Sequence, residues 1–135
     1  MVSQQVLNKR KHQRIKFSSV SPQALDMLIS SQIPFPLEPF DSGIYFLYEK
    51  DSIVYIGKSK NILARVGQHL SLPRYKNVTK VTYFKYKKDL DYIEYLLIKL
   101  FSPKYNSQIS RYEKSPHIAE ISDKIINDYL ALHRS

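Results

Sequence analysis

The chain has 135 residues, of which 43% are hydrophobic, so it is long enough to bury one core but not two independent ones. Its 21 Lys and Arg residues outnumber 12 Asp and Glu, and the net charge of +9 suits a polyanionic partner or an anionic membrane surface. The chain has no cysteine, which excludes disulfides, a thiol nucleophile and cysteine-ligated zinc and favours a hard metal ion such as Mg²⁺.

The first 20 residues are polar and basic, and their lack of periodicity predicts a mobile arm. Its basic side chains are Lys9, Arg10, Lys11, Arg14 and Lys16. Such a tail either binds phosphates or is a solvated surface, and both interpretations stay open. It lacks the apolar core of a secretory signal, and the strongly apolar runs, such as residues 95–98, are far below the roughly 20 residues of a membrane span. We therefore expect a cytoplasmic, nucleoid-associated protein without a membrane partner.

Residues 21–41 predict a helix followed by a linker. Ser21 supplies an N-cap hydroxyl and Pro22 suits the first helical position, so a short helix should run to about Ser31. The segment 33–39 then holds three prolines, which remove amide donors and exclude a central strand or a helix. This segment is expected to be an extended linker into the core.

A β-hairpin and a helix are predicted next. Two runs rich in β-branched and aromatic residues, 44–48 and 53–56, flank a polar turn and indicate antiparallel strands. Asn61 can cap a helix that runs to about Leu70, with Leu63, Val66 and Leu70 facing inward.

One strand and two helices complete the chain. The residues over 78–86 are mostly β-branched and aromatic and predict a third strand. A helix from about Asp89 to Ser102 should end before Pro103, and a last helix begins at about residue 115. The order of elements is α, ββ, α, β, α, α, with no internal repeat.

The basic charge is concentrated in one stretch. Residues 58 to 88 carry nine basic side chains and no acid, a pattern that binds phosphates through counterion release. The candidates for nucleic-acid contacts in this stretch are Lys58, Lys60, Arg74, Lys76 and Lys80.

Glu94 lies beside the apolar stripe of the helix predicted over 89–102. Because an isolated buried carboxylate is costly, this side chain must be paired or exposed in a cleft. Arg65 and His69 are spaced i, i+4 and project from one face of the preceding helix. Spacing alone leaves two interpretations open: a structural salt bridge between Glu94 and Arg65, or a functional site.

The length of the hairpin loop determines whether the Tyr45 and Tyr55 side chains lie on the same face of the hairpin. A three-residue loop over residues 49–51 would put both side chains on one face, directly opposite each other. A two-residue turn at residues 50–51 would instead put them on opposite faces.

Two triplets make the pattern specific. Gly43-Ile44-Tyr45 precedes Tyr55-Ile56-Gly57, and Lys58, Arg65, Glu94 and Asn106 follow in that order. Over about residues 42 to 107 this arrangement resembles the GIY-YIG nuclease family, most closely the nuclease module of the bacterial nucleotide-excision-repair incision subunit. The resemblance implies an α+β fold with a small three-stranded antiparallel sheet flanked by helices, here with extra N- and C-terminal helices.

The resemblance also implies the roles of the site residues. Glu94 would be the metal ligand, Arg65 would stabilise charge on the scissile phosphate, and Tyr45 would activate the attacking water or hold it in line. Tyr55 would help to position water and phosphate, and Asn106 would be a supporting polar residue.

Two further residues complete the implied site. Lys58 falls where the family often has a basic or polar assistant, and His69 where relatives commonly carry Tyr or His. A phosphodiester repels an incoming hydroxide, so positive charge from Arg65 and a metal is chemically reasonable. A phenol, with a pKa of ~10, is a poor base unless neighbouring cations lower that pKa.

The expected domains are a flexible basic arm (1–20), a helix and Pro-rich linker (21–41), the GIY-YIG nuclease core (42–107) and a C-terminal helical extension (108–135). The expected function is metal-dependent hydrolysis of DNA phosphodiester bonds, with one Mg²⁺ or Mn²⁺ ion and in-line attack of water. The expected partner is DNA, and target choice would lie in the basic loop, the N-terminal arm, the interface of a homodimer or a separate targeting protein. The alternatives are a non-catalytic nucleic-acid-binding module and an interaction protein in which Arg65 and Glu94 are only a structural pair.

Overall fold

The fold is seen in a computed structural model, which describes residues 20–34, 41–108 and 110–134. Its helices and strands in chain order are α1 (Pro22–Ser30), β1 (Ile33–Pro34), β2 (Gly43–Glu49), β3 (Ser52–Ser59), α2 (Ile62–Leu70), β4 (Lys80–Lys85), α3 (Leu90–Phe101) and α4 (Pro116–Leu132). Two short 3₁₀ turns, Pro73–Tyr75 and Arg111–Lys114, precede β4 and α4. The predicted arm lies outside the described residues except for Val20, as do residues 35–40 of the predicted linker.

The sheet has four antiparallel strands in the order β1-β4-β2-β3, where three were expected. The added strand is β1, in which Ile33 pairs with Tyr83 and Pro34 with Thr82. Proline is tolerated there because β1 is an edge strand, where a missing amide donor interrupts no ladder on the outer side. The predicted α+β class is confirmed, with this correction to the strand number.

The N-terminal helix begins as predicted. The Ser21 hydroxyl accepts a hydrogen bond from the Ala24 amide at 3.0 Å, and Pro22 is the first helical residue. Leu25 is fully buried and joins the core formed by the sheet and the C-terminal helices.

The hairpin between β2 and β3 has a two-residue turn at Lys50 and Asp51, and Lys50 adopts a left-handed conformation with φ 57°. By the parity argument this turn should separate Tyr45 and Tyr55 onto opposite faces of the sheet. That inference is wrong, because a bulge follows the turn and changes the parity.

The bulge lies at Val54. Tyr48 pairs with Ile53, whereas the next residue back, Leu47, pairs with Tyr55. Val54 is therefore the extra residue of β3, and every later residue of the strand is turned to the other face.

Tyr45 and Tyr55 consequently share a face as diagonal neighbours. Tyr45 is directly opposite Gly57, and Tyr55 is opposite Leu47. The centroids of the two tyrosine rings are 6.0 Å apart. The direct opposition expected from a three-residue loop does not occur.

The sheet separates two apolar clusters. The larger cluster packs α1, α3 and α4 on one face, with residues such as Ile44, Phe46 and Ile56 from the sheet. The smaller cluster packs α2 and the first 3₁₀ turn on the other face and includes Tyr45 and Leu47. The isoleucines of the two triplets thus build the main core, while the tyrosines face the second cluster.

Helix α2 is capped as expected, since the Asn61 side chain accepts from the Ala64 amide at 3.2 Å. Its inward face differs from the prediction at the C-terminal end, where Leu70 is exposed and His69 is buried. His69 takes the inward position because its ring nitrogen has a buried hydrogen-bond partner there, the Tyr45 hydroxyl. Within the described parts of the chain, no helix combines the length and apolarity of a membrane span.

Candidate active site

The glycines of the two triplets leave space that other parts of the chain occupy. A Cβ on Gly57 would lie 2.4 Å from the hydroxyl oxygen of Tyr45, whose ring crosses over this residue. A Cβ on Gly43 would lie 2.0 Å from the carbonyl oxygen of Phe84 on the neighbouring strand. Both contacts are shorter than any real Cβ contact, so the backbone positions require glycine.

A buried aromatic cluster holds Tyr45 in place. Its side chain is fully buried, and its hydroxyl is 2.9 Å from Nδ1 of His69. The His69 ring centroid lies 4.6 Å from that of Tyr55 and 5.2 Å from that of Tyr75. The cluster therefore joins β2, β3, α2 and the first 3₁₀ turn.

Burial keeps this cluster uncharged. It raises the pKa of the Tyr45 and Tyr55 hydroxyls, and for Tyr55 the nearby Glu94 carboxylate raises it further. Burial also lowers the pKa of His69, and the charge of Arg65 acts in the same direction. At neutral pH both phenols are protonated and the imidazole is neutral.

Arg65 lies beside this cluster but remains exposed. Its guanidinium donates to the Gln68 side chain at 2.9 Å, within the same helix. Its charge opposes the rise in the pKa of Tyr45 and Tyr55, which places it close to both phenols. The guanidinium therefore remains accessible to an anion.

Glu94 is half-buried on α3 and faces the same cleft. Burial raises the pKa of its carboxyl to about 7, and the Asp91 charge adds to that rise, against the opposing effects of the Lys58 charge and backbone N–H. Among the described ion pairs, none joins Glu94 to Arg65. The interpretation of these two residues as a structural salt bridge is therefore wrong.

The Lys58 side chain pairs with Asp91 rather than with Glu94. Its amino group forms an ion pair with the Asp91 carboxylate, one turn before Glu94 on α3. Arg111 approaches the other oxygen of the same carboxylate at 3.4 Å. Asp91 thus holds two cations near Glu94.

Asn106 completes the outer edge of β3. Its side-chain oxygen accepts from the Ile56 amide at 2.8 Å, and its side-chain nitrogen donates to the Ile56 carbonyl at 2.9 Å. The neighbouring Tyr105 amide donates to the carbonyl of the bulge residue Val54 at 2.9 Å. The Asn106 side chain therefore makes the two backbone hydrogen bonds to Ile56 that a neighbouring strand would otherwise make.

These residues meet at a cleft of about 760 Å³ along the edge of β3. The predicted site residues on its wall are Tyr55, Arg65, His69, Glu94 and Asn106. Tyr45 lies behind the wall and contacts His69. Lys58 also lies outside the wall and forms an ion pair with Asp91, which is part of it. The structure thus brings the predicted set together, with these two residues outside the wall.

Comparison with known proteins agrees with this arrangement. Residues 41–106 match the family model described as the GIY-YIG catalytic domain. Residues 41–106 carry a GIY-YIG catalytic domain. The predicted GIY-YIG family is confirmed for this segment, and its match to a catalytic domain agrees with the predicted enzyme class.

The matching relatives are much longer than this chain. The UvrABC system protein C of Thermosipho africanus is 34% identical over 89 residues, which cover 60% of this chain and 16% of that protein. The UvrABC system protein C of Fusobacterium nucleatum is 29% identical over 90 residues, covering 59% and 15% respectively. The chain therefore spans about a sixth of the length of these relatives.

Solved structures of similar proteins include the GIY-YIG N-terminal endonuclease domain of UvrC from Thermotoga maritima, bound to magnesium as its catalytic divalent cation. It is 27% identical, covers 52% of this chain and 88% of that chain, and has a TM-score of 0.47.

The basic residues predicted to contact nucleic acid are dispersed over the GIY-YIG domain. Arg74 lines the cleft, with its guanidinium 5.5 Å from the Tyr105 ring centroid. Lys76 lies at a second, open depression beyond the hairpin turn, and the Lys80 amino group lies 4.2 Å from the Tyr48 ring centroid. Lys58 and Lys60 are exposed near the start of α2. Of this set, Arg74 is the residue on the cleft wall.

The donor set of the cleft fits a hard divalent ion. Glu94 offers carboxylate oxygens, the ligand type of Mg²⁺, and its raised pKa shows that no neighbouring cation fully compensates its charge. In the residues that the structure describes, no group of three or more His, Asp or Glu side chains is arranged to hold a metal. One protein carboxylate, with water and phosphate oxygens as the other ligands, is a usual arrangement for Mg²⁺.

Sequence reasoning missed several residues of the cleft, among them Tyr75, Tyr105, Asp91 and Arg111. The two tyrosines lie in segments predicted as loops, where a large aromatic residue beside Arg74 or before Asn106 was the available signal. Asp91 and Arg111 had no such signal, because an exposed charge on a helix or turn is the common surface pattern.

Proposed function

We propose that the GIY-YIG domain of this chain is a metal-dependent endonuclease that hydrolyses phosphodiester bonds in DNA by in-line attack of water, with one Mg²⁺ or Mn²⁺ ion held at Glu94. The observation that carries this proposal is the half-buried Glu94 carboxylate, which has no ion pair with Arg65 and shares one cleft with it. A bound divalent ion would polarise the scissile phosphate and lower the pKa of a coordinated water.

Arg65 is suited to bind the scissile phosphate. Its guanidinium is exposed and donates to the neutral Gln68 side chain, and none of the described ion pairs engages it, so binding an anion breaks no ion pair. A guanidinium donates two parallel hydrogen bonds to phosphate oxygens and stabilises the charge that grows on them.

The proton of the attacking water is best accepted by His69. Its lowered pKa leaves the imidazole neutral at physiological pH, and the ring lines the cleft. Tyr45 is a weaker choice as a base because its burial raises the pKa and its hydroxyl already contacts His69. We therefore assign Tyr45 as a positioning residue that fixes the imidazole, in place of the two roles that the resemblance implied for it, which were to activate the attacking water or to hold it in line.

Tyr55 and Asn106 support this arrangement. The Tyr55 ring lies on the cleft wall against His69, where its protonated hydroxyl can donate to water or phosphate. Asn106 holds β3 through both backbone groups of Ile56, which fixes the position of the adjacent Tyr55.

DNA is the favoured substrate because of the basic charge and the kind of relatives that the chain matches. Arg65 and Arg74 line the cleft, and the Lys58 amino group reaches its edge through the ion pair with Asp91. Such an arrangement neutralises several phosphates, so binding should weaken steeply with salt.

The test is cleavage of supercoiled plasmid by the wild type and by Glu94→Gln, with Mg²⁺ or Mn²⁺. We expect nicked or linear product from the wild type with metal, none in EDTA, and at least a 100-fold lower rate for Glu94→Gln, since such electrostatic contributions are of this order. A melting temperature of Glu94→Gln in EDTA that is no lower than that of the wild type would exclude a folding defect. Metal-independent binding without cleavage, across plasmids and salt concentrations, would instead favour the non-catalytic binding module.

A further inference from the structure

The 3₁₀ turn Arg111–Lys114 forms part of the cleft although it lies beyond residues 41–106, the segment that matches the family. Ser110, Arg111 and Glu113 line the same cleft as Glu94 and Arg65. Arg65 reaches the cleft from helix α2, whereas the 3₁₀ turn packs beside α3. The C-terminal extension therefore supplies a second side to the site.

The turn is firmly anchored. The Tyr112 ring is buried, with its centroid 5.5 Å from that of Tyr92 and 5.4 Å from that of Tyr95. Glu113 pairs with the Lys99 amino group at 2.7 Å. The backbone of Arg111 is thus held in place relative to α3 by contacts on both of its following residues.

Arg111 itself is oriented but accessible. Its side chain is 74% exposed, and its guanidinium lies 5.1 Å from the Tyr112 ring centroid. One guanidinium nitrogen is 3.2 Å from the Tyr112 hydroxyl and 3.4 Å from the Asp91 carboxylate. Stacking on a buried ring reduces the conformational entropy that the side chain loses on binding a ligand.

The charges around Arg111 leave it available for an anion. Lys99, the other cation on this side of the cleft, is engaged by Glu113 and, at 3.1 Å, by Asp123. Asp91 also binds Lys58, so its charge stays compensated when Arg111 turns away from it. Arg111 can therefore exchange a long contact with Asp91 for a phosphate without leaving an unpaired carboxylate.

We propose that Arg111 binds a backbone phosphate of the DNA in the cleft, so that the C-terminal extension provides the second side of the DNA-binding site. This inference rests on the proposed function only in that the cleft receives DNA. The strand would be held between Arg65 and Arg74 on the α2 side and Arg111 on the α3 side. The guanidinium suits this task because its planar fork matches two phosphate oxygens.

The test compares Arg111→Gln with Lys114→Gln, a matched control in the same turn that removes one positive charge from an exposed side chain outside the cleft. Both are made in the Glu94→Gln background, which prevents cleavage, and binding to a fluorescent DNA duplex is measured over a range of salt concentrations. We expect Arg111→Gln to weaken binding about 5-fold and to reduce the salt slope by about 1, the loss of one phosphate contact. Lys114→Gln should change binding less than twofold, and Arg111→Lys should be intermediate because it keeps the charge but not the fork.

Equal effects of Arg111→Gln and Lys114→Gln would overturn the proposal, as would an unchanged Kd for both, or a duplex that does not bind at all. Melting temperatures check folding, and if Arg111→Gln is unstable the comparison of Arg111→Lys with Lys114→Gln decides the question. Plasmid cleavage by the wild type separates this result from the proposed function. Cleavage with no specific effect at Arg111 refutes this inference alone, whereas specific binding without cleavage refutes the nuclease alone.

Discussion

At the scale of single residues, Glu94 is the least ordinary side chain of the site. Burial raises the pKa of its carboxyl to about 7 from an ordinary 4.5, so the folded protein binds the proton more tightly than the unfolded chain does. Stability from this group is therefore present at low pH and falls as the pH rises from about 4.5 to about 7. In the proposed function a divalent ion at Glu94 would supply the countercharge that this carboxylate lacks, and metal binding would compete with protonation.

This pKa predicts that Glu94→Gln stabilises the metal-free protein at high pH. Glutamine avoids the buried charge, so at pH 8 in EDTA the variant should be more stable by about 2 kcal/mol, after allowance for partial exposure. At pH 4.5 the difference should nearly vanish. Urea unfolding at the two pH values measures it, and a less stable variant at pH 8 would mean that the carboxylate has a stabilising partner.

Gly57 is the residue on which the position of Tyr45 depends. Gly57→Ala should displace the Tyr45 ring from its contact with His69, because the added methyl would lie 2.4 Å from the phenol. We expect a loss of about 1–3 kcal/mol, typical of overpacking, together with a marked loss of cleavage.

Gly67→Ala is the matched control for that variant. Gly67 lies on α2 with no atom within 4 Å of an added Cβ, so alanine there should be neutral or stabilise by up to about 1 kcal/mol. Equal stabilities of the two variants in urea unfolding would show that the ring does not need the space at Gly57.

At the scale of elements, the edge of β3 determines the geometry of the site. The bulge at Val54 turns Tyr55 onto the face of Tyr45, and Asn106 then holds the neighbouring Ile56. Without the bulge the two tyrosines would lie on opposite faces, and the cleft would lose one of its aromatic walls.

Asn106→Ala should loosen this edge. It removes both hydrogen bonds to the backbone of Ile56, a fully buried residue, and should cost about 2–3 kcal/mol. Hydrogen exchange of the Ile56 amide should become faster relative to other β3 amides. Asn77→Ala, at an exposed position before β4, is the control, and the same exchange rate in both variants would contradict the bracing role.

The sequence predicted those elements whose own residues carry a clear pattern. The helix cap at Asn61, the hairpin and the helix ending before Pro103 all follow from local periodicity and turn chemistry. Strand β1 could not be predicted in this way, because a two-residue strand that contains Pro34 has no periodicity and forms only through its pairing with β4. The bulge likewise depends on a distant partner, the Tyr105 amide on Val54.

The same distinction between local pattern and distant packing applies to the residues of the candidate site. Arg65 and Glu94 were recognisable from helix geometry, and Tyr45 and Tyr55 from the triplets that carry the family resemblance. Asp91 and Arg111 were not, since their significance lies in the packing of the C-terminal turn against α3.

At the scale of the whole molecule, the sheet separates a core from a site. The larger cluster lets α1, α3 and α4 fix one face, and the smaller aromatic cluster builds the site on the other. The edge strand β3 lies between them, so residues of both layers reach the cleft. This arrangement brings the groups of the proposed site together within the segment that matches the GIY-YIG family model.

The central claim is that a single metal at Glu94 drives cleavage, and its most direct test is the single-turnover cleavage rate measured against Mn²⁺ concentration. The rate should rise hyperbolically to a plateau, as one site requires, and Glu94→Gln should show at least a 100-fold lower plateau although its melting temperature in EDTA is no lower than that of the wild type. A sigmoidal rise would contradict the single metal. Cleavage in EDTA, or an unchanged plateau in Glu94→Gln, would contradict the claim itself.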